Sequence, residues 1–258
     1  MLVFVSYHVS GELLFNSLDI ENKRYLFRPH LIETENRNYF LVRWGSRARC
    51  QYRPHYVLNQ KKAIKNATHK FLTYQKFNEY GVIHPFSLYP PDFPCFAVME
   101  KSERGKGVIL VFSHADIRHL ERLGYRIALY SMPIRIKKEY RIHITIDNDN
   151  FNYLILEKKR PRNINSFSFV IRNFENNYIF KYLSEDEIRE ITPLQYEAYK
   201  AIKSLNLDFG AVDCCIDDLG HNWIFEVNTA PGLRGESLTI DFYKDFIERK
   251  YYEWRDNQ

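Results

Sequence analysis

The sequence predicts an α+β protein built on mostly antiparallel sheets, for three reasons. Apolar runs at 95–100 and 108–112 are joined by a short loop holding Gly105 and Gly107, and those at 210–216 and 223–227 by a polar loop holding Gly220. Both patterns read as hairpins. A few helices are interspersed among the strands without alternating one for one, which argues against a doubly wound parallel sheet. With 258 residues, 45% hydrophobic and 27% charged, the chain can bury a sizeable core as one large domain or two small lobes.

Residues 1–57 read as a short α/β segment. An apolar strand at 2–6, a helix at 11–18 and a strand at 39–43 lead into a basic loop running from Arg43 to Arg53. Asn59 is placed to cap a helix through 66, and Thr68 to cap a second that ends at Gly81. Pro85, Pro90 and Pro91 then enforce extended chain. After the first hairpin, Ser113 caps a helix that stops at Gly124, and strands follow at 125–133, 140–146 and 153–157. Thr192-Pro193 opens a helix to about residue 204, with proline in the first helical position. The second hairpin precedes an amphipathic helix at 242–254.

Composition narrows the function classes. No apolar run approaches the roughly 20 residues that cross a bilayer, and the opening residues lack a basic stretch, so neither a membrane span nor a secretory leader is expected. Cys50, Cys95, Cys214 and Cys215 form no CxxC, which argues against a zinc site or a disulfide framework and for a cytoplasmic thiol state. The formal charge of +5 suits anionic ligands such as nucleotides, and weak nucleic-acid contact equally. No Ser-His-Asp, Cys-His or HExxH arrangement is present.

The most informative stretch is 205–233, LNLDFGAVDCCIDDLGHNWIFEVNTAPGL. Side chains alternate along a strand, so Asp213 shares a face with Ala211 and Cys215, and Glu226 with Ile224 and Asn228. Closing the hairpin on Ile216 and Trp223 sets Asp213 opposite Glu226, with Cβ atoms about 4.5–5.5 Å apart. Carboxylates so placed repel unless a positive charge lies between them. Mg²⁺ favours carboxylate, amide and phosphate oxygens, and Asn228 adds a neutral oxygen on the same face. The same two acids also read as surface residues on the wet side of a hairpin. Asp217 and Asp218 read as solvated loop residues.

Two further patterns carry chemistry. In Glu139-Tyr140-Arg141-Ile142-His143-Ile144, alternation puts Glu139, Arg141 and His143 on one face. Such a charged triplet is costly to bury without a ligand or partner. Gly105-Lys106-Gly107 lets backbone N–H groups approach a phosphate that lysine neutralises. An ordinary hairpin tip has the same composition, and the pattern is not a P-loop.

Asp213 followed by Glu226-Val227-Asn228-Thr229-Ala230-Pro231-Gly232-Leu233 resembles the metal-binding signature of ATP-grasp enzymes. More narrowly, it looks like the RimK-like carboxylate–amine ligases and a compact subgroup of them met in tailed bacteriophages. EYRIHI is similar to the EYRVHV strand of that subgroup. The segment 105–107 resembles the mobile glycine-rich loop that covers the triphosphate. Arg172-Asn173 before Asn176-Asn177-Tyr178 resembles its RN…NGW segment, with Asn177-Tyr178 in place of Gly-Trp. The likeness covers roughly residues 39–247.

The resemblance implies a fold of two α+β lobes clasping a nucleotide: a short N-terminal segment at 1–57, then an ATP-grasp domain at 58–258 with a small lobe at about 70–130 and a large lobe at about 131–258. It implies ATP and Mg²⁺ (two ions, Mn²⁺ the alternative), with Asp213, Glu226 and Asn228 as metal ligands. Lys70 and Lys101 would meet phosphates, although Lys101 stands at the end of its strand beside Glu100. Gly105, Lys106 and Gly107 would close over ATP; Tyr130 and Met132 would line the adenine pocket, and His143 would face the nucleotide. Arg141, Arg172 and Lys101 would cancel negative charge during catalysis. The implied reaction turns a substrate carboxylate into an acylphosphate that an amine intercepts, in a cytoplasmic enzyme (host cytoplasm if viral). The acid and amine stay open: an amino acid, a peptide or an anionic polymer. Two competitors stand beside this reading. One is an ATP-grasp kinase. The other is a nucleic-acid-binding module using Arg43, Arg47, Arg49, Arg53 and the basic run 158–162.

Overall fold

A computed structural model describes residues 1–35, 37–103, 106–148, 150–159, 178–233 and 237–258, with the side chains of 101–103 and 106 outside that description. The first part holds β1 (Leu2–Ser6), α1 (Ser10–Ser17), β2 (Lys23–Phe27), β3 (Leu31–Ile32), β4 (Phe40–Trp44), β5 (Arg49–Cys50) and β6 (Tyr56–Leu58). β2, β1, β4 and β6 form a parallel sheet in that order, and β3 pairs with β5 beside it. Every residue of β1 and β4 is buried, as expected of parallel strands covered on both faces. The sequence reading found these two strands and missed β2 and β6, which are short and carry no run of apolar residues long enough to stand out.

Next come α2 (Lys61–Thr68), α3 (Lys70–Glu79), β7 (Phe86–Ser87), β8 (Cys95–Glu103), β9 (Lys106–Val111), α4 (His114–Arg122) and β10 (Ile127–Ser131). The strands form an antiparallel sheet in the order β7-β10-β8-β9, with α4 on one face over Cys95, Ala97, Met99 and Tyr130. Ser113 caps α4 as predicted, accepting from the Asp116 N–H at 3.3 Å. The other two predicted caps are corrected. Asn59 stands before the N-cap Gln60 at a φ of 60°, and its side chain accepts from the Asp208 N–H at 2.9 Å and donates to the Phe209 carbonyl at 3.0 Å. Thr68 ends α2 and donates back to the Ile64 carbonyl at 2.9 Å.

The remainder holds β11 (Ile136–Asp147), β12 (Asn150–Lys159), β13 (Ile179–Tyr182), α5 (Glu185–Arg189), α6 (Thr192–Ser204), β14 (Phe209–Asp217), β15 (Asn222–Asn228) and α7 (Ser237–Asp256). An antiparallel sheet runs β13-β12-β11-β14-β15. One face, with Tyr140, Ile142, Ile144, Val212 and Cys214, packs on Ala63 and Ile64 of α2 and on Ala198 and Ile202 of α6. Glu139, Arg141, His143 and Asp213 lie on the other face by strand alternation. α7 covers part of that face and also packs Tyr243, Phe246 and Ile247 with Phe4, Phe40 and Trp44 of the parallel sheet. Among the described residues no helix is long and apolar enough to cross a membrane.

The β14–β15 hairpin reaches the predicted juxtaposition by a different register. Ile216 pairs with Asn222 and Cys215 with Trp223; a shift between Asp213 and Cys214 then leaves Phe225 as the extra residue of a bulge and brings Asp213 opposite Glu226. The bulge also turns Ile224 into the core, where it is fully buried, rather than onto the face of Glu226.

Asp217 corrects a second expectation. It is buried, and its carboxylate accepts from the Leu219 N–H at 2.9 Å, the His221 N–H at 2.8 Å and the Trp223 indole N–H at 2.9 Å. Burial alone would raise this carboxyl; the hydrogen bonds from Trp223 and His221 prevail and hold it down to about 2. Because the folded value lies below the ordinary one, the stabilisation is complete above about pH 5 and fades as pH falls toward about 2. Asp217→Asn is therefore expected to melt lower than the parent at neutral pH, with the gap narrowing as pH drops. Thermal melts between pH 7 and 2.5 check this; a gap constant across the series would refute it.

Candidate active site

A ribbon of polar side chains crosses the large antiparallel sheet where β12, β11, β14 and β15 lie side by side. Register places Lys158 beside Glu139, Arg141 beside Asp213, and Asp213 beside Glu226. Lys158 and Glu139 form a close ion pair with both side chains 7% exposed. Arg141 grips Asp213 with two parallel bonds, Nε to Oδ1 at 2.7 Å and Nη2 to Oδ2 at 2.8 Å. This bidentate fork is among the stronger hydrogen-bonded arrangements available to side chains. The Phe180 ring lies under both cations, 5.0 Å from the Arg141 guanidinium and 5.9 Å from Lys158 Nζ.

Asn228 knits the two carboxylates together. Its amide donates to Asp213 Oδ2 at 3.3 Å and to Glu226 Oε1 at 3.1 Å. Asp213 is buried, whereas Glu226 opens to solvent. Burial would lift Asp213, but the Arg141 charge and its hydrogen bonds hold that carboxyl well below the ordinary range. Glu226 moves the other way: loss of hydration in the cleft, then the neighbouring Asp213 charge, push it up. Two acids with opposite shifts at one place are a common mark of a functional site.

The compensating charge that the sequence argument assigned to a metal is supplied for Asp213 by Arg141. Opposed carboxylates therefore do not by themselves demand an ion here. The donor set nevertheless fits one. Among the described residues no three His, Cys, Asp or Glu side chains gather as a metal site. An ion at this place would rest on two carboxylates and an amide, all hard oxygen donors, and complete its shell with phosphate oxygens, as Mg²⁺ does. A half-turn of the Asn228 amide would present its oxygen, rather than its N–H groups, to an ion between the carboxylates.

The segment after β15 is anchored to the parallel sheet. Ser10 Oγ donates to the Pro231 carbonyl at 2.8 Å and accepts from the Trp44 indole N–H at 3.0 Å. Gly45 has a φ of +69°, and a Cβ there would stand 2.8 Å from that of Ala230, so only glycine lets the chain pass this close. The chain just beyond Asn228 is thereby pinned to the parallel-sheet side.

Comparison of the fold with solved structures gives three informative likenesses. N5-carboxyaminoimidazole synthetase from Staphylococcus aureus, complexed with ADP, superposes with a TM-score of 0.63 at 12% identity over 91% of this chain and 71% of that one. D-alanine–D-alanine ligase from Bacillus anthracis gives 0.59 at 13% identity over 93% and 90%. VanG D-Ala:D-Ser ligase from Enterococcus faecalis gives 0.61 at 11% identity over 92% and 92%. The chain has the ATP-grasp fold. No profile of a known protein family matches the sequence, and at such identities the likeness is one of architecture.

Within the ATP-grasp fold the other predicted residues take distinct places. Lys70 begins α3, whose start has no side-chain cap, and its charge draws the Glu226 carboxyl downward. β8 carries Lys101, and β9 carries Lys106 and Gly107; Lys106 pairs with Glu103, and Gly107 has a φ of +88°. Gly105, Arg172 and the side chains of Lys101 and Lys106 lie outside the described residues. Met132 is exposed just past β10.

Two expectations are corrected. Tyr130 packs into the core between the small sheet and α4, so its ring does not line a cleft. The opposite face carries Phe96, Val98 and Leu129 instead; strand alternation from Cys95 and Ala97 would have identified it, had α4 been assigned to the face of Tyr130. His143 is fully buried, its Nδ1 2.9 Å from the Tyr243 hydroxyl, which donates to the Gly210 carbonyl at 3.1 Å. Burial and the Arg141 charge push its pKa down to about 3, leaving a neutral ring that braces α7. Lys158, read from sequence only as part of a basic run, belongs to the ribbon itself.

Proposed function

We propose that this chain is an ATP-dependent carboxylate–amine ligase of the RimK-like kind, with Asp213, Glu226, Asn228 and Arg141 at its reaction centre. The observation that carries the reading is the convergence of these four side chains within an ATP-grasp fold. A substrate carboxylate attacks the γ-phosphorus of ATP, ADP leaves, and an amine displaces phosphate from the acylphosphate. Such transfers need positioning and charge stabilisation rather than a protein nucleophile.

Asp213, Glu226 and Asn228 would hold Mg²⁺, which would supply neutralisation of the phosphate oxygens. Arg141 keeps Asp213 ionised and anchored, and its guanidinium places positive charge beside the carboxylate pair. Lys70, at the uncapped start of α3, adds a second cation and free helical N–H groups for a phosphate. Lys101, Lys106 and Arg172 are assigned the further phosphate contacts, and Gly105 and Gly107 the loop that closes over ATP. The main-chain edge at Met132 is assigned to the adenine.

The nucleic-acid alternative finds less support. Arg43 is buried and donates to the Ala48 carbonyl at 2.9 Å and the Cys50 sulfur at 3.1 Å, and Lys158 is sealed against Glu139. Both are withdrawn from any phosphate backbone.

The test is ADP release from Mg-ATP with a matrix of amino acids, short peptides and simple amines. Release that requires an acid and an amine together is the expected outcome. Release with a hydroxyl compound alone would make the protein a kinase, and none under any combination would overturn the proposal.

A further inference from the structure

Between the loop after β4 and the start of α2 lies an open cavity of about 680 Å³ lined by Arg47, Gln60, Lys61, Lys62 and Lys65. Four of these five residues are cations, and all four are exposed. None belongs to an ion pair among the described residues. Some cations elsewhere are matched: Lys76 with Glu79, Lys200 with Glu197, Lys244 with Asp19, Lys250 with Asp147.

The local sequence makes the excess charge costlier still. A helix start favours acidic side chains, yet the first turn of α2 contains none and carries Lys61 and Lys62, and Gln60 supplies no side-chain cap. Lys61 and Lys65, four apart, repel on one helix face. Helix dipole, lysines and Arg47 all add positive potential to one concave space. A bound oxyanion would relieve every one of these repulsions.

The cavity contains none of the residues of the proposed reaction centre, and its Arg47 side lies near the chain that follows Asn228. Arg47 follows Gly45, which packs against Ala230 just beyond Asn228. α2 buries Ala63 and Ile64 against the face of the large sheet opposite to Asp213, in one cluster with Ile224 and Val227 of the edge strand β15. The volume suits a small molecule rather than a single ion.

We infer that this cavity binds the multiply charged end of a small-molecule substrate, a phosphate or clustered carboxylates, and holds it while its reactive group extends round the β15 edge toward Glu226. The inference rests on the ligase reading for its purpose and on the cavity alone for its binding.

NMR titration of the full chain in saturating Mg-ADP tests it, with inorganic phosphate and tricarballylate as separate probes for the two oxyanion sources. The expected result is saturable shifts centred on α2 and Arg47 with at least one probe. In an Arg47→Gln/Lys61→Gln/Lys65→Gln variant the affinity for that probe should fall about tenfold or more while Mg-ADP affinity is unchanged, the scale of losing charge-assisted hydrogen bonds. These side chains are exposed, and a melting curve checks the fold; should the triple variant unfold, Lys62→Gln and Lys65→Gln are measured singly. Unchanged probe affinity in the variants, no saturable binding of either probe, or shifts centred on α3 and the β14–β15 hairpin would overturn the assignment. So would tighter, steeply salt-dependent binding of a dodecameric oligothymidylate, which would mark a polynucleotide surface. If Mg-ADP itself fails to bind, the ligase reading falls, and the same titration without nucleotide still decides the cavity.

Discussion

Glu226→Gln is expected to remove most Mg-ATP turnover and leave the melting temperature where it was. Glu226 is exposed; it accepts from Asn228 at 3.1 Å and hydrogen-bonds the Asp213 carboxylate, and a glutamine can replace both, its carbonyl accepting and its amide donating. Its carboxyl is raised partly by repulsion from Asp213, so neutralising it costs the fold nothing and relieves that repulsion slightly. Catalysis loses one of the two anionic oxygen donors on which the proposed metal rests. A loss on the order of 10²-fold or more is the scale seen when a preorganised electrostatic group is deleted. Turnover within about threefold of the parent, at equal Mg²⁺, would remove Glu226 from the reaction centre. Asp213→Asn is a poorer probe, because it leaves the Arg141 fork facing a neutral partner and so mixes stability with activity.

That difference between two acids was not legible in the sequence. Alternation within β14 and β15 is a local property, and it put Asp213 and Glu226 together even though the assumed register missed the bulge at Phe225. The helix at Thr192–Ser204 and the Ser113 cap are local in the same sense, each written in a few adjacent residues. The partners that decide behaviour are distant in the chain. Arg141 meets Asp213 across 72 positions, and His143 meets Tyr243 across 100. Alternation says which residues share a face, but not which helix covers it. Hence Tyr130 reads as cleft-facing although α4 covers its side, and His143 although α7 covers it. Asp217 erred for a related reason: a loop aspartate looks solvated unless the turn folds its N–H groups back onto the carboxylate, and the bonds from His221 and Trp223 appear only when the hairpin closes.

Arg141→Met should be the most damaging single change to stability among the ribbon residues, and its effect should depend on pH in a direction fixed by Asp213. The pair is largely shielded, with the Arg141 and Asp213 side chains 19% and 10% exposed. Breaking a buried pair by deleting one partner typically costs about 3–5 kcal/mol, because the survivor keeps its desolvation penalty without its attraction. In the parent, Asp213 is held below the ordinary carboxylate range, so its stabilising contribution is complete at neutral pH and is lost as pH falls beneath that range. Without the guanidinium, burial acts unopposed and lifts the same carboxyl. The variant then gains stability as pH falls and protonation removes the stranded charge. The two curves should therefore stand furthest apart at neutral pH and converge on acidification, in denaturant titrations run in EDTA between pH 8 and 4. Adding Asp213→Asn to Arg141→Met should recover part of the loss at pH 7, since no buried charge remains to be compensated. Arg141→Lys, which keeps the charge but not the fork, should fall between parent and Met variant. A destabilisation equal at pH 8 and pH 4, with no recovery in the double variant, would mean that Arg141 matters for its packing on Phe180 and not for the charge of Asp213.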